Sequence, residues 1–341
     1  MKRWFLSGWG TVLAALLGLA LLISLPFFAS AYTLLQATLY AILSLYTLSL
    51  AYIWGYGGIM CFGQAAFFGA GAYTFAVAAI NLGDTTLPLL LAVVISALFA
   101  AALGYFMFYG RLTDVYMGIV TLLTTLICSQ VMSQTAGPNF TIGRVMLGGF
   151  NGIPSVPSIN FPGHPDSNLD VDQFFQLTTG IVIVAYGLLK LLQRSAFGRI
   201  TIAVRENESR AALLGYDVRR HKLIVFSIGG GIAGMAGAFF ASNQLFIDPN
   251  VFNLAMAAQC VIWVMLGGVG TLIGPIVACC GLQFLTTWLS GANIANNSFV
   301  LGVVLMIIVL LLPSGLAPAS LSTLERLSRR ASARVHEADG A

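Results

Sequence analysis

Residues 4–110 carry a single charged side chain, Asp84, and residues 223–324 again only one, Asp248. Soluble domains are about one quarter charged, whereas here charged residues make up 8% and hydrophobic ones 58%, with a mean hydropathy of +0.89. A backbone in hydrocarbon has no water to bond with, so it must satisfy its own N–H and C=O groups as helices or as a closed barrel. The apolar runs are continuous rather than alternating, which selects helices. The expected fold is an all-α integral membrane protein, a polytopic bundle of about 8–10 transmembrane helices in contact with the lipid bilayer.

Taken in order, an apolar run over 4–28 follows Lys2 and Arg3. Ala29-Ser30-Ala31 resembles a signal-peptidase site, but the run before it exceeds the ~7–15 residues of a signal core, so a retained first helix is expected. Further spans are expected over 32–54, from the Gly-rich stretch 55–75 to about 81, over 86–109, 115–134, 174–192 and 223–243, then as two shorter runs, 255–266 and 273–289, and finally over 299–312. Glycine-rich breaks interrupt the helices at Gly57, Gly58 and Gly63 and again at Gly267, Gly268 and Gly274. Such breaks are tolerated at membrane depth only against protein or a water-filled path, and their matching places in the two halves suggest an internal repeat with a path between. In the span over 223–243, Gly230 with Gly234, and Ala233 with Gly237, form small-xxx-small faces for close packing.

Two polar segments stand out. Residues 136–172 hold Pro138, Pro154, Pro157, Pro162 and Pro165, with Asp166, Asp170 and Asp172 against the lone Arg144, and are expected as an ordered or partly ordered periplasmic loop. Residues 194–222 hold seven Lys or Arg and three acids, the one sizeable polar surface a partner could grip. Within it Glu206 and Arg210 stand at i and i+4, Ala203, Ala211 and Leu214 share a helical face, and Gly215 is placed to end the run in a left-handed cap, predicting one short amphipathic helix over about 205–215. A solvated loop obeying only the charge rule is the alternative from periodicity alone. With ten passes and both termini cytoplasmic, every one of the 16 basic residues except Arg144 falls inside, as the positive-inside rule requires. The domain reading is a transmembrane domain over 1–318, with its cytoplasmic loop at 194–222 and its far-side loop at 136–172, and a cytoplasmic basic tail over 319–341.

Several functions lack their residues. No G-x-x-x-x-G-K-[ST] occurs, so the chain cannot cradle a nucleotide by itself. Cys61, Cys128, Cys260, Cys279 and Cys280 lie in apolar runs without metal-ligand spacing, and His164, His221 and His336 are scattered in polar segments. No catalytic residue, metal site or cofactor is therefore assigned to the chain. The net charge of +4 follows from topology and implies no nucleic-acid partner. Transport is the natural function, with Gln64, Thr121, Thr124, Thr125, Ser242 and Gln259 as uncharged candidates to line the path. A self-sufficient secondary transporter or channel is the rival, but ion coupling usually leaves ionisable residues within spans, and these spans hold no charged residue except Lys190, beside the basic segment. A purely structural subunit is a third reading, in which those polar side chains have no reason to face inward.

Particular segments carry a resemblance. RENESRAALLGYDVRRHKLIVF followed by AGMAGAFF, then VIWVMLGGVGTLIGP, with GYGGIMCFGQAAFFGAGAYT and DVYMGIVTL, resemble the LivM-type permease subunit of ABC importers for branched-chain amino acids, urea and short amides. The likeness covers about 53–318 and is most specific over 198–275. It implies a bacterial inner-membrane importer in which this subunit pairs with a LivH-type second permease, two cytoplasmic ATPase subunits supply ATP and Mg, and a periplasmic substrate-binding protein delivers the solute. It also implies an ATPase-coupling helix over about 206–215, with Arg205, Glu206, Glu208, Arg210, Leu214 and Gly215 as its residues. Ala258-Gln259 stands where many members of that family carry an acidic residue, and Leu147 replaces a leading Thr in LGGFNGI. ENESR and the VIWV and GTL segments resemble the urea branch, so the expected solute is urea or a short amide, with a branched-chain amino acid close behind.

Overall fold

The computed structural model describes residues 30–291, apart from 138, 162 and 163, together with residue 302. The expected span over 4–28, all but residue 302 of the span over 299–312, and the tail over 319–341 lie outside those residues, as does the orientation of the termini.

The described helices are α1 (Ala31–Gly55), α2 (Gln64–Leu82), α3 (Thr86–Tyr109), α4 (Asp114–Ser133), α5 (Val171–Arg194), α6 (Ala196–Glu206), α7 (Glu208–Leu213), α8 (Val218–Gln244), α9 (Leu254–Gly267) and α10 (Ile273–Gly291). Seven of them, all but α6, α7 and α9, are long and apolar enough to cross a membrane. The span limits read from the charge gaps agree with these bounds to within a few residues. The 14 residues of α9 reach only about 21 Å, short of a ~30 Å hydrocarbon core. A turn of 3-10 helix, Pro249–Phe252, precedes it and carries Phe252 in to stack on Tyr73 of α2 at 5.6 Å.

At the centre lies α8, packed against α1, α2 and α3. The predicted small-residue spacing explains how it fits. A Cβ at Gly230 would overlap Ala100 and one at Gly234 would overlap Ser96, so that pair lies on α3, while a Cβ at Gly237 would fall on the backbone carbonyl of Phe68 in α2. Lipid tails are as apolar as leucine, so close backbone approach, not exclusion from water, holds such helices together. Edge-on aromatics fill the remaining space, with Phe67 meeting Phe226 of α8 at 5.3 Å and 88°. The five cysteines are free, three of them buried in this core.

The polar segments separate to opposite ends. Short antiparallel strands β1 (Thr141–Ile142), β2 (Val145–Met146), β3 (Ile153–Pro154), β4 (Asn160–Phe161) and β5 (His164–Asn168) order the loop over 136–172, with β3 pairing to β6 (Phe246–Ile247), which follows α8. The loop is pinned to the α2–α3 turn as well: Asn160 N–H donates to Thr85 Oγ1 at 3.0 Å, and both the amide and the hydroxyl of Thr85 donate to Asn160 Oδ1. In the same turn, hydrogen bonds from Thr86 and Thr85 hold the Asp84 carboxyl below its ordinary range, against the opposing effect of desolvation. The basic segment 194–222 sits at the other end, where α5 ends and α8 begins. Arg219 there lies over the ring of Tyr109, the last residue of α3, at 5.8 Å.

Candidate functional site

Polar side chains cut the basic segment into pieces. Ser195 caps α6 by accepting from Gly198 N–H at 3.3 Å, Asn207 caps α7 by accepting from Arg210 N–H at 2.9 Å, and Asp217 caps α8 by accepting from Arg220 N–H at 3.1 Å. The expectation of one helix over 205–215 is therefore corrected: Asn207, at φ −161° and ψ 103°, breaks it into two. Its side-chain oxygen competes for the amides of the next turn, as Asn does at helix starts. The expected pair between Glu206 and Arg210 is lost with that break. Glu206 instead accepts from its neighbour Arg205 at 2.5 Å, and Glu208 pairs with Lys222 of α8. The shared apolar face is corrected too, since Ala211 is buried while Ala203 and Leu214 are exposed.

The C-terminus of α7 follows the expectation. Gly215 adopts φ +87°, Gly215 N–H donates to Ala212 at 3.0 Å, and Tyr216 N–H donates to Ala211 at 3.2 Å. These are the two bonds of a Schellman cap. The cap leaves Leu213 87% and Leu214 74% exposed at the tip of a polar knob. Exposed leucines beside arginines, on the end of the molecule that is basic among the described residues, make a compact surface for a folded partner.

The two glycine breaks lie beneath this knob and touch one another. Gly55 approaches Gly270 so closely that a Cβ on Gly55 would meet the amide nitrogen of Gly270 at 2.8 Å. Gly267 and Gly274 likewise close on each other's backbone, and Gly268 turns the chain at φ +98°. Within the first break, Gly57 lies against Val225 of α8, Gly58 against Arg205, and Gly63 against the backbone of Thr121. Tyr56 is in the same cluster; burial pushes its hydroxyl above the ordinary range, and a hydrogen bond with Gln193 and then the Arg205 charge act against that rise.

The candidate path residues do not form one continuous lining. Gln64 is buried, donates to Ser49 Oγ at 2.7 Å and to the Gly229 carbonyl at 3.4 Å, and so ties α2 to α1 and α8. Thr121 accepts from Phe62 N–H at 3.2 Å, while Thr124 and Thr125 donate to the helix carbonyls of Val120 and Thr121. Ser242 is buried near the far end of α8, and its hydroxyl has no hydrogen-bond partner among the described residues. Gln259 lies apart from these, exposed on α9 beside the exposed Ala258. Sequence reasoning passed over Lys222 and Ser49, which carry no motif, because only their partners mark them.

Residues 29–310 match the family described as branched-chain amino acid transport system, permease component. The chain belongs to that family. Among similar proteins, the high-affinity branched-chain amino acid transport system permease protein LivM of Escherichia coli is 30% identical over 90% of this chain and 74% of its own length. The LivM protein of Salmonella typhimurium is 29% identical over 92% of this chain and 76% of its own. The autoinducer 2 import system permease protein LsrC of Klebsiella pneumoniae is 33% identical over 36% of this chain and 37% of its own length. No solved structure matches the chain. As a permease component it is multi-pass and membrane-embedded, which agrees with the seven apolar helices.

Proposed function

We propose that this permease component is one half of the membrane pore of an ATP-driven ABC importer in the bacterial inner membrane, working with a LivH-type second permease. In this reading two cytoplasmic ATPase subunits hold the ATP and Mg, dock on α6 and α7, and drive import through Arg205, Glu206, Glu208, Arg210, Leu214 and Gly215. A periplasmic binding protein delivers solute to the loop over 136–172. The observation that carries the reading is the leucine-tipped knob of α7, built on the basic end of a chain whose relatives are permease proteins of transport systems. The positive-inside rule puts that end in the cytoplasm, and both termini are assigned there.

The solute path is proposed at the border with the second permease. Gln259 supports this, because an exposed amide on an apolar helix is costly in hydrocarbon and comfortable against a polar partner or water. Gln64, Thr121, Thr124, Thr125 and Ser242 then stand behind the path rather than along it. The names of the LivM relatives favour a branched-chain amino acid as solute. A second reading, urea or a short amide, is favoured by the uncharged spans, which offer no side-chain carboxylate to an ammonium group. The deciding experiment is uptake by the reconstituted importer with its own binding protein, using labelled leucine, acetamide and urea in competition. Leucine uptake untouched by excess urea overturns the neutral-solute reading. Uptake driven by a solute gradient through the chain alone, without ATPase subunits, overturns the importer reading in favour of a self-sufficient transporter or channel.

The cap gives a sharper expectation. Nothing lies within 4 Å of a Cβ placed on Gly215, so Gly215→Val is strained only through its left-handed backbone, by about 1–2 kcal/mol. That strain is enough to unwind a helix of six residues without disturbing the spans. The expected result is a complex that still binds its delivery protein but loses solute-stimulated ATP hydrolysis; full stimulation in the variant removes α7 from the coupling path.

A further inference from the structure

Arg205 is the last arginine of α6, yet its side chain leaves the knob and reaches into the membrane domain. Its Nη1 donates to the carbonyl of Gly55 at 2.5 Å, across 150 positions of sequence, while Nη2 donates to Glu206. Gly55 is the last residue of α1, so its carbonyl is one of the orphans at the negative end of a helix dipole. A guanidinium there both satisfies the bond and matches the charge. The methylene stem of Arg205 crosses Gly58, where a Cβ would meet its Cγ at 2.6 Å. The same Nη1 would lie 3.9 Å from a Cβ on Gly270, in the second break. One side chain on the coupling segment therefore touches the end of α1 and the first glycine break, and adjoins the second break.

We infer that Arg205 is the positioning residue that passes the movement of the coupling segment to both glycine breaks. This rests on the coupling role proposed above and adds the route that force takes from there. Glu206 fixes the guanidinium to α6, and the Gly55 carbonyl fixes it to α1. A shift of α6 thus moves the end of α1, and through the backbone contact of Gly55 with Gly270 it moves the turn between α9 and α10. Gly58 and Gly270 leave the room through which the arginine does this, at φ +67° and +95°. Lysine takes its place only in part, because an ammonium lacks the planar fork that meets the Gly55 carbonyl and the Glu206 carboxylate together.

The test uses the complete importer in proteoliposomes, with Arg205→Met and Arg205→Lys, and reads solute taken up per ATP hydrolysed. The solute is leucine or urea, whichever the wild-type complex carries. The expected result is a fall of at least ~10-fold in that ratio for Arg205→Met with the ATPase subunits still attached, and a smaller fall for Arg205→Lys. A merely structural role would lower both activities together and leave the ratio unchanged. A wild-type ratio in Arg205→Met overturns the inference. Should that variant fail to assemble, the ratio in Arg205→Lys decides: a fall of ~3-fold or more supports the route and a wild-type value overturns it. Failure of the underlying coupling role is read separately, as ATPase subunits that remain bound when Leu213 and Leu214 are both changed to Asp.

Discussion

Replacing Gly237 by alanine is expected to remove most of the folded protein from the membrane. The added Cβ would sit on the carbonyl of Phe68 and 3.0 Å from the amide of Ala72, both backbone atoms that no rotamer change can move. Relief requires α8 to move off α2, and α8 also touches α1 and α3, so the shift spreads to three interfaces. Overpacking of this kind costs about 3 kcal/mol, a large share of ordinary domain stability. The comparison is Gly187→Ala in α5, where nothing lies within 4 Å of the new carbon. Thermal unfolding of the detergent-solubilised protein, followed by size exclusion, is expected to fall sharply for Gly237→Ala and to stay near wild type for Gly187→Ala. Equal behaviour of the two variants would contradict the central packing of α8.

The double variant Leu213→Asp with Leu214→Asp is expected to release the ATPase subunits while leaving the membrane domain folded. Both side chains are already in water in the isolated chain, so their replacement removes no internal contact. In a docked state each would bury its side chain, worth roughly 1.5–3 kcal/mol, and each introduced carboxylate would enter that contact unpaired. Two such residues at the centre of a small knob behave as a hot spot, so affinity should fall by at least ~100-fold. Co-purification of the ATPase subunits with the permease pair measures this directly. Retention at wild-type level would move the docking site away from α7.

Two ties hold the knob to the membrane domain. Lys222 is buried at the start of α8 and pairs with Glu208 of α7, whereas Arg205 of α6 holds α1. The basic segment is thus joined to α8 and to α1 at different points.

The residues by themselves determined where the described part of this chain crosses the membrane. A span must be apolar along its whole length, and charge is excluded from it so strongly that the gaps around Asp84 and Asp248 outline the helices directly. Local backbone demands were legible for the same reason: Gly215 ends α7 left-handed, and the four-residue spacing of Gly230 and Gly234 marks a contact face, since both depend only on neighbours in sequence. Tertiary structure alone decided that Asn207 splits the helix expected over 205–215, because a cap and an i,i+4 ion pair are both allowed locally and packing selects between them. It also decided that Gln64 and Thr121 bond to the chain's own interior, and that one arginine reaches Gly55 from 150 positions away. Periodicity reports that a polar side chain avoids lipid; which partner it finds is set by the three-dimensional approach of distant helices.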